Sequence, residues 1–249
     1  CMYNRIKPQI ISSLIVISGK DNVYTDTDNL DKYSRDETED FSFPPEVVIK
    51  PSSADEISRI LKLANENLIP VYTRGGGTGL SGGALPVLGG ILIVMERFNK
   101  ILKIDEKNFF TEVESGVITQ VLQEELEKRG LFYPVDPASR GSCFIGGNVA
   151  ECSGGPRAAK YGVTRNYILG LEFVTPTGEI IFTGSRTIKN VTGYSLSQLI
   201  CGSEGTLGII TKIVLRILAL PKYKKLLLIA YNNVNECISS VAEIYRNGV

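Results

Sequence analysis

Two periods of apolar residues run through this chain, one near 3.6 and one near 2, and they predict alternating helices and strands. Ile6, Ile10, Leu14 and Ile17 share a helical face, which predicts an amphipathic surface helix over residues 10–17. Residues 46–49 read as a strand. Ser53 with Glu56 three residues later is a capping box opening a helix whose apolar face is Ile57, Ile60, Leu61, Ala64 and Leu68, stopped by Pro70. A second short strand is expected over 71–73, then strands over 91–95, 101–104 and 109–114, and a helix over 119–129 closed by Gly130. Two apolar runs, 168–175 and 179–183, flank Pro176-Thr177-Gly178, a hairpin turn. A β-branched strand is expected over 208–218. Beyond Pro221 the pattern gives one strand (226–231) and one helix (234–246) with a stripe of Ile238, Val241, Ala242 and Tyr245. One strand and one helix cannot bury both their apolar surfaces, so residues 222–249 read as the opening of a second, truncated domain after a first domain over 1–221.

Composition narrows the chemistry. With 249 residues and 43% apolar content the chain can bury a sizeable core. Lys plus Arg and Asp plus Glu are both 27, so no basic field steers a polyanion and nucleic acid is not an expected partner. Five dispersed cysteines without a CxxC pair argue against a disulfide framework and against a metal site. They point to a reducing compartment, the cytoplasm, with peripheral attachment at the inner membrane face as the alternative. Arg5 and Lys7 before an apolar stretch resemble a signal peptide, but a small-residue cleavage site is lacking. No apolar run approaches the roughly 18 residues of a bilayer span. The chain has no histidine, which excludes a histidine general base and a Ser-His-Asp triad within it.

Glycine clusters carry the candidate chemistry. Gly77-Thr78-Gly79-Leu80-Ser81-Gly82 follows a strand and satisfies GxGxxG, yet only residues 83–90 separate it from the next apolar run, too few for a dinucleotide-binding crossover helix. Consecutive glycines can still present backbone N–H groups as an anion nest, and Thr78 and Ser81 add hydroxyls. The alternative is a long connection with no ligand. Two more glycine pairs, Gly146-Gly147 and Gly154-Gly155, and the run from Gly202 to Gly208 follow. One long ligand touching all three regions is the economical explanation, because glycine lets backbone approach a flat ring.

Arg74 to Gly83, Tyr133-Pro134-Val135-Asp136-Pro137-Ala138-Ser139, Ile145 to Gly155, and Gly202-Ser203-Glu204-Gly205-Thr206-Leu207-Gly208-Ile209-Ile210-Thr211 occur in the order of the FAD-linked oxidase family that includes vanillyl-alcohol oxidase. Over roughly residues 34–221 the chain resembles that family, above all its glycolate and D-lactate dehydrogenase branch. The resemblance implies an α+β, two-subdomain FAD-binding domain followed by the start of a substrate cap domain. It implies that Arg74, Gly75, Gly76, Gly77, Thr78, Gly79, Leu80 and Ser81 hold the pyrophosphate. Pro134, Asp136, Ser139, Cys143, Gly146, Gly147, Asn148, Ser153, Gly154 and Gly155 would line the isoalloxazine; Gly208, Ile209 and Ile210 would meet the adenosine end; Tyr161, Gly162 and Glu204 complete the set.

The implied activity is oxidation of a small D-2-hydroxy acid, glycolate or D-lactate, to the 2-oxo acid, with electrons passing to an acceptor protein or iron–sulfur subunit. The family's catalytic base and metal-ligand histidines lie in a later domain, so the base is expected outside these residues, which would hold flavin without oxidising substrate. Cys143 or Cys152 could at most form a thioether to flavin, or simply pack as small residues. Arg157 and Lys160 stand either near the flavin pyrimidine or as a solvated pair, and Glu151 and Tyr161 as ring contacts or packing. The alternatives are a non-catalytic flavin-binding module and a same-fold flavoenzyme acting on another alcohol.

Overall fold

A computed structural model describes residues 3–248. The first half contains α1 (Pro8–Ser18), β1 (Val23–Tyr24), α2 (Thr27–Lys32), β2 (Val47–Ile49), α3 (Ala54–Glu66), β3 (Val71–Arg74) and β4 (Ile91–Val94). Its four strands form one sheet in the order β1-β2-β4-β3, with β2, β4 and β3 mutually parallel. Because strand side chains alternate, Val47, Ile49, Ile91 and Ile93 face α1 and α3, while Val48, Leu92 and Val94 pack with Tyr33 on the other face. Burial on both faces is why these strands read as continuous apolar runs. Ser53 caps α3 by accepting the Glu56 N–H at 3.2 Å. The helix ends at Glu66, before Pro70 is reached, with Leu68 left-handed at φ 52°.

The second half contains β5 (Ile101–Asp105), β6 (Phe110–Glu114), α4 (Thr119–Glu127), β7 (Leu131–Phe132), α5 (Ile145–Glu151), α6 (Ala158–Tyr161), β8 (Ile168–Val174), β9 (Ile180–Gly184), α7 (Leu196–Ile200), β10 (Ile209–Arg216), β11 (Leu218–Ala219) and α8 (Val234–Arg246). An antiparallel sheet ordered β5-β6-β10-β8-β9 lays Val113, Leu171, Ile213 and Leu215 against Leu122 and Leu126 of α4 and Ile145 and Val149 of α5. The single strand expected over 208–218 breaks at Ile217, after which β11 pairs with β7. The halves are joined where α3 meets the β8–β9 hairpin: Ser58 Oγ donates to Gly178 O at 2.5 Å and Asn65 Nδ2 to Pro176 O at 2.6 Å. This is the two-part α+β architecture that the resemblance implies.

One helix was not expected and one expected strand is absent. Residues 145–151, within the glycine-rich middle to which no element was assigned, form α5, because Ile145 and Val149 anchor one face in the core and override the glycines' poor helix propensity. Residues 226–231 form no strand: Leu226 and Leu228 are 98% and 96% exposed, and no neighbouring strand supplies hydrogen-bond partners. Helix α8 forms as expected, yet none of its residues is buried.

Candidate functional site

Beyond the carboxyl ends of β3 and β4 the two sheets leave a cavity of about 280 Å³, the position where parallel α/β sheets hold ligands. One wall is the β3–β4 connection, Gly75 to Leu80 with Gly83 and Ala84. A second is Ser139, Cys143 and Phe144 with the α5 residues Gly146, Gly147, Asn148, Ala150 and Glu151, then Ser153. Glu204, Gly205, Gly208 and Ile210 form the third, and Thr73, Met95 and Ser115 complete the lining.

The glycine connection is built to present backbone. From Gly76 to Ala84, no backbone N–H donates to another described protein group. An amide left without a partner costs about 1–3 kcal/mol when shielded from water, so a run of them beside a cavity is a surface for an anion. Gly77 holds the turn at φ +69°, and a Cβ there would overlap the Arg74 guanidinium. Arg74 therefore lies behind the loop rather than in the cavity: it is 9% exposed, donates to Arg35 O at 2.6 Å, and stands 5.7 Å over the Tyr33 ring. Its charge reaches the nest through the loop it supports.

The facing wall shows the same economy. A Cβ on Gly146 would sit 2.5 Å from the Ser115 Cβ, so glycine lets α5 press onto the end of β6. Gly147 differs: beyond its chain neighbours and its own helix no described atom lies within 4 Å of an added Cβ, and its N–H has no acceptor among the described residues. The Ser115 hydroxyl is buried in the lining without a partner. Asn148 Nδ2 donates to Thr119 Oγ1 at 2.6 Å, and that hydroxyl lies 3.2 Å from Cys143 Sγ, which fixes both cavity-lining side chains. Free amides, one orphaned hydroxyl and open space at Gly147 suit a phosphate-bearing ligand with a flat ring.

Acidic groups flank the rim. Partial burial raises the Glu151 carboxyl above its ordinary range, reinforced by the nearby Glu204 and Asp36 carboxylates. A raised carboxyl pKa means that folding favours the protonated form, so the stability it confers is full below the unfolded carboxyl pKa and is lost as pH rises through the folded one. Glu151→Gln is expected to raise Tm by about 1–2 °C at neutral pH, after discounting for its large solvent exposure, and to change nothing below about pH 4. Thermal unfolding across pH checks this, and an equal shift at both ends would overturn the assignment.

The structure gathers Gly75, Gly76, Gly77, Thr78, Gly79, Leu80, Ser139, Cys143, Gly146, Gly147, Asn148, Ser153, Glu204, Gly208 and Ile210 into one lining. Other expected residues lie outside it. Pro134 is buried, and Asp136 is held by Arg157, which donates Nε to the carboxylate at 3.1 Å. A Cβ on Gly155 would strike the Asp136 backbone, so that glycine closes this latch. Tyr161 packs edge-on against Phe132 with centroids 5.6 Å apart, and Gly162 ends α6 beside Asn166. Gly154 packs against Val163, Ser81 is exposed, and Ile209 faces a neighbouring cavity that shares Thr73, Gly205 and Gly208. Arg157 stands 5.1 Å over Phe132 and Lys160 stands 5.9 Å over Tyr161, neither in the lining. Thr73, Gly83, Ala84, Met95, Ser115 and Gly205 were not expected, whereas Phe144 and Ala150 fall within the stretch from Cys143 to Gly155 that the resemblance places against the ring. The carboxyl-end rule for parallel strands would have found Thr73 and Met95, and the glycine after Ser115, where β6 ends, flagged that position.

No described helix is long and apolar enough to cross a membrane, and no described cluster of His, Cys, Asp or Glu is placed to hold a metal ion. The chain is 43% identical over 239 residues to the glycolate oxidase subunit GlcD of Bacillus subtilis, covering 96% of this chain and 51% of that protein. It is 41% identical over 246 residues to a D-lactate dehydrogenase of Anaerostipes hadrus, covering 98% and 51%. The chain thus spans about half the length of these curated relatives. Among solved structures, an alkyldihydroxyacetonephosphate synthase superposes with a TM-score of 0.82 at 24% identity, covering 99% of this chain and 47% of that one, a likeness of fold. Residues 45–184, more than half of the chain, match the FAD binding domain family, and this chain belongs to that family.

Proposed function

We propose that this chain is the flavin-holding half of an FAD-dependent dehydrogenase that oxidises a small D-2-hydroxy acid, glycolate or D-lactate, to the 2-oxo acid. The observation that carries the reading is the run of partnerless amides from Gly76 to Ala84 facing Gly147 and Ser115 across one cavity. FAD held there would supply a two-electron oxidant for the substrate carbon.

The residues present divide the remaining work. The 76–84 amides, backed by buried Arg74, would neutralise the pyrophosphate. Gly147 would let the ring system lie against bare backbone, with Ser115 Oγ offering a hydrogen bond. Cys143, turned toward Thr119, would pack against the ring rather than bond to it, so the cofactor would be held without a covalent link. Glu204 and Gly208 to Ile210 would meet the adenosine end. Residues 1–221 would form this domain, and 222–249, whose α8 has no buried residue, would open a substrate-covering domain.

The chain lacks histidine, burial pushes the Tyr133 hydroxyl up and away from neutral pH, and the raised Glu151 carboxyl stands against the glycine loop at Gly83 rather than at the Gly147 wall. The base would therefore come from outside these residues, and electrons would leave to an acceptor protein or an iron–sulfur subunit in the cytoplasm. The 249 residues loaded with FAD are expected to keep their flavin absorbance when mixed anaerobically with D-lactate or glycolate, whereas the complete gene product loses it. Bleaching of the 249-residue chain at a comparable rate would place the base inside it. A complete gene product inert to every 2-hydroxy acid would leave a non-catalytic flavin module as the reading.

A further inference from the structure

Outside the cavity lining, two cysteines and an arginine form a cluster that flavin binding does not use. Cys152 follows α5 in the left-handed conformation, φ +52°, and is half-buried. Cys201 is 3% exposed at the end of α7 and packs in the same apolar cluster. The two backbones are already tied, with Gly202 N donating to Val149 O and Glu204 N to Ala150 O, both at 3.0 Å. A Cβ on Gly202 would lie 3.7 Å from the Cys152 Cβ, so the Cys152 side chain is directed at this turn. Arg165 bridges the pair, donating Nε to Cys152 Sγ at 3.3 Å and Nη2 to Cys201 O at 3.4 Å.

We propose that Cys152 is a peroxide-reactive thiol and that Cys201 resolves it into a disulfide. The thiolate, not the thiol, attacks peroxide, and an adjacent cation is what raises the thiolate fraction. Partial burial opposes ionisation of Cys152, but the hydrogen bonds and charge of Arg165 outweigh it and the thiol lies below its ordinary pKa. Burial pushes Cys201 up to about 12, so it stays a thiol and leaves the first step to Cys152; it gives up its proton only as it attacks the adjacent sulfenic sulfur. Cys152 thiolate displaces hydroxide from hydrogen peroxide to give the sulfenic acid. Cys201 sulfur then attacks that sulfur, forming the S–S bond, and the sulfenic hydroxyl leaves with the Cys201 proton as water. Two thiols lose two electrons and one peroxide becomes two waters. The bond would tie the segment carrying Ala150, Glu151 and Ser153 to the turn carrying Glu204 and Gly205, two walls of the cavity.

The test is titration of the purified chain with hydrogen peroxide, followed by non-reducing peptide mapping. The expected product is a Cys152–Cys201 linked peptide that has lost two hydrogens and is restored by dithiothreitol. In Cys201→Ser, a sulfenic-acid trap such as dimedone should label Cys152, and Arg165→Gln should slow the reaction roughly tenfold. Should Cys201→Ser fold poorly, mapping of the parent chain and the Arg165→Gln rate still decide. Over-oxidation of Cys152 without the link, preferential reaction at buried Cys143, or an unchanged rate in Arg165→Gln would each overturn the proposal.

Discussion

Gly147→Val is expected to weaken FAD binding roughly 100-fold, about 2.7 kcal/mol, while leaving the Tm of the cofactor-free chain within about 2 °C of the parent. Gly147 sits in the first turn of α5 with no described atom within 4 Å of an added Cβ, so the folded chain has room for the side chain. Glycine within a helix is disfavoured by about 0.5–1 kcal/mol relative to alanine, so valine does not weaken the helix. The only cost falls on the cavity, which the new methyl groups would enter. Gly146→Val is the contrast: its Cβ would meet the Ser115 Cβ at 2.5 Å and the Ser115 carbonyl at 2.9 Å, so it should depress Tm strongly. Fluorescence titration of FAD beside thermal unfolding separates the two. A Gly147→Val chain with parental FAD affinity would mean that the cofactor lies elsewhere.

Gly77→Val should remove FAD binding altogether, through the loop rather than the cavity. A β-branched residue at φ +69° is strained by about 1–2 kcal/mol, and its Cβ would overlap the guanidinium of Arg74, which cannot retreat because it is buried and bonded to Arg35 O. The turn must open, and the amides from Gly76 onward are displaced from the cavity wall. A fall in Tm of about 3–6 °C accompanies the loss, in proportion to that strain. Retention of FAD affinity with the same fall in Tm would show that the 76–84 loop is structural and not the phosphate site.

These contrasts also show what could be read from the chain alone. Val47-Val48-Ile49 and Ile91 to Val94 announced their strands because burial on both faces leaves no polar interruption, and Ser53 announced α3 because its hydroxyl caps the helix. Helix α5 was hidden because two glycines occupy its first turn and only tertiary contacts from Ile145 and Val149 hold it. The strand expected over 226–231 failed for the opposite reason, since a β-forming sequence with no adjacent strand has nothing to pair with. The glycine loop was legible as exposed backbone because glycine carries no side chain, while the lack of protein partners for its amides is visible only in the fold. That Arg74 lies behind the loop, and that Asp136 and Gly155 form a latch outside the cavity lining, depends on where distant segments pack, which local pattern does not encode.

The most direct test of the account is to titrate the cofactor-free 249-residue chain with FAD and then precipitate it with acid. One FAD per chain should bind, and all of the yellow colour should pass into the supernatant, since no histidine is present to link the ring and the Cys143 thiol is turned toward Thr119. A chain that fails to bind FAD, or whose flavin stays with the precipitate, would contradict the claim that this cavity holds FAD without a covalent link.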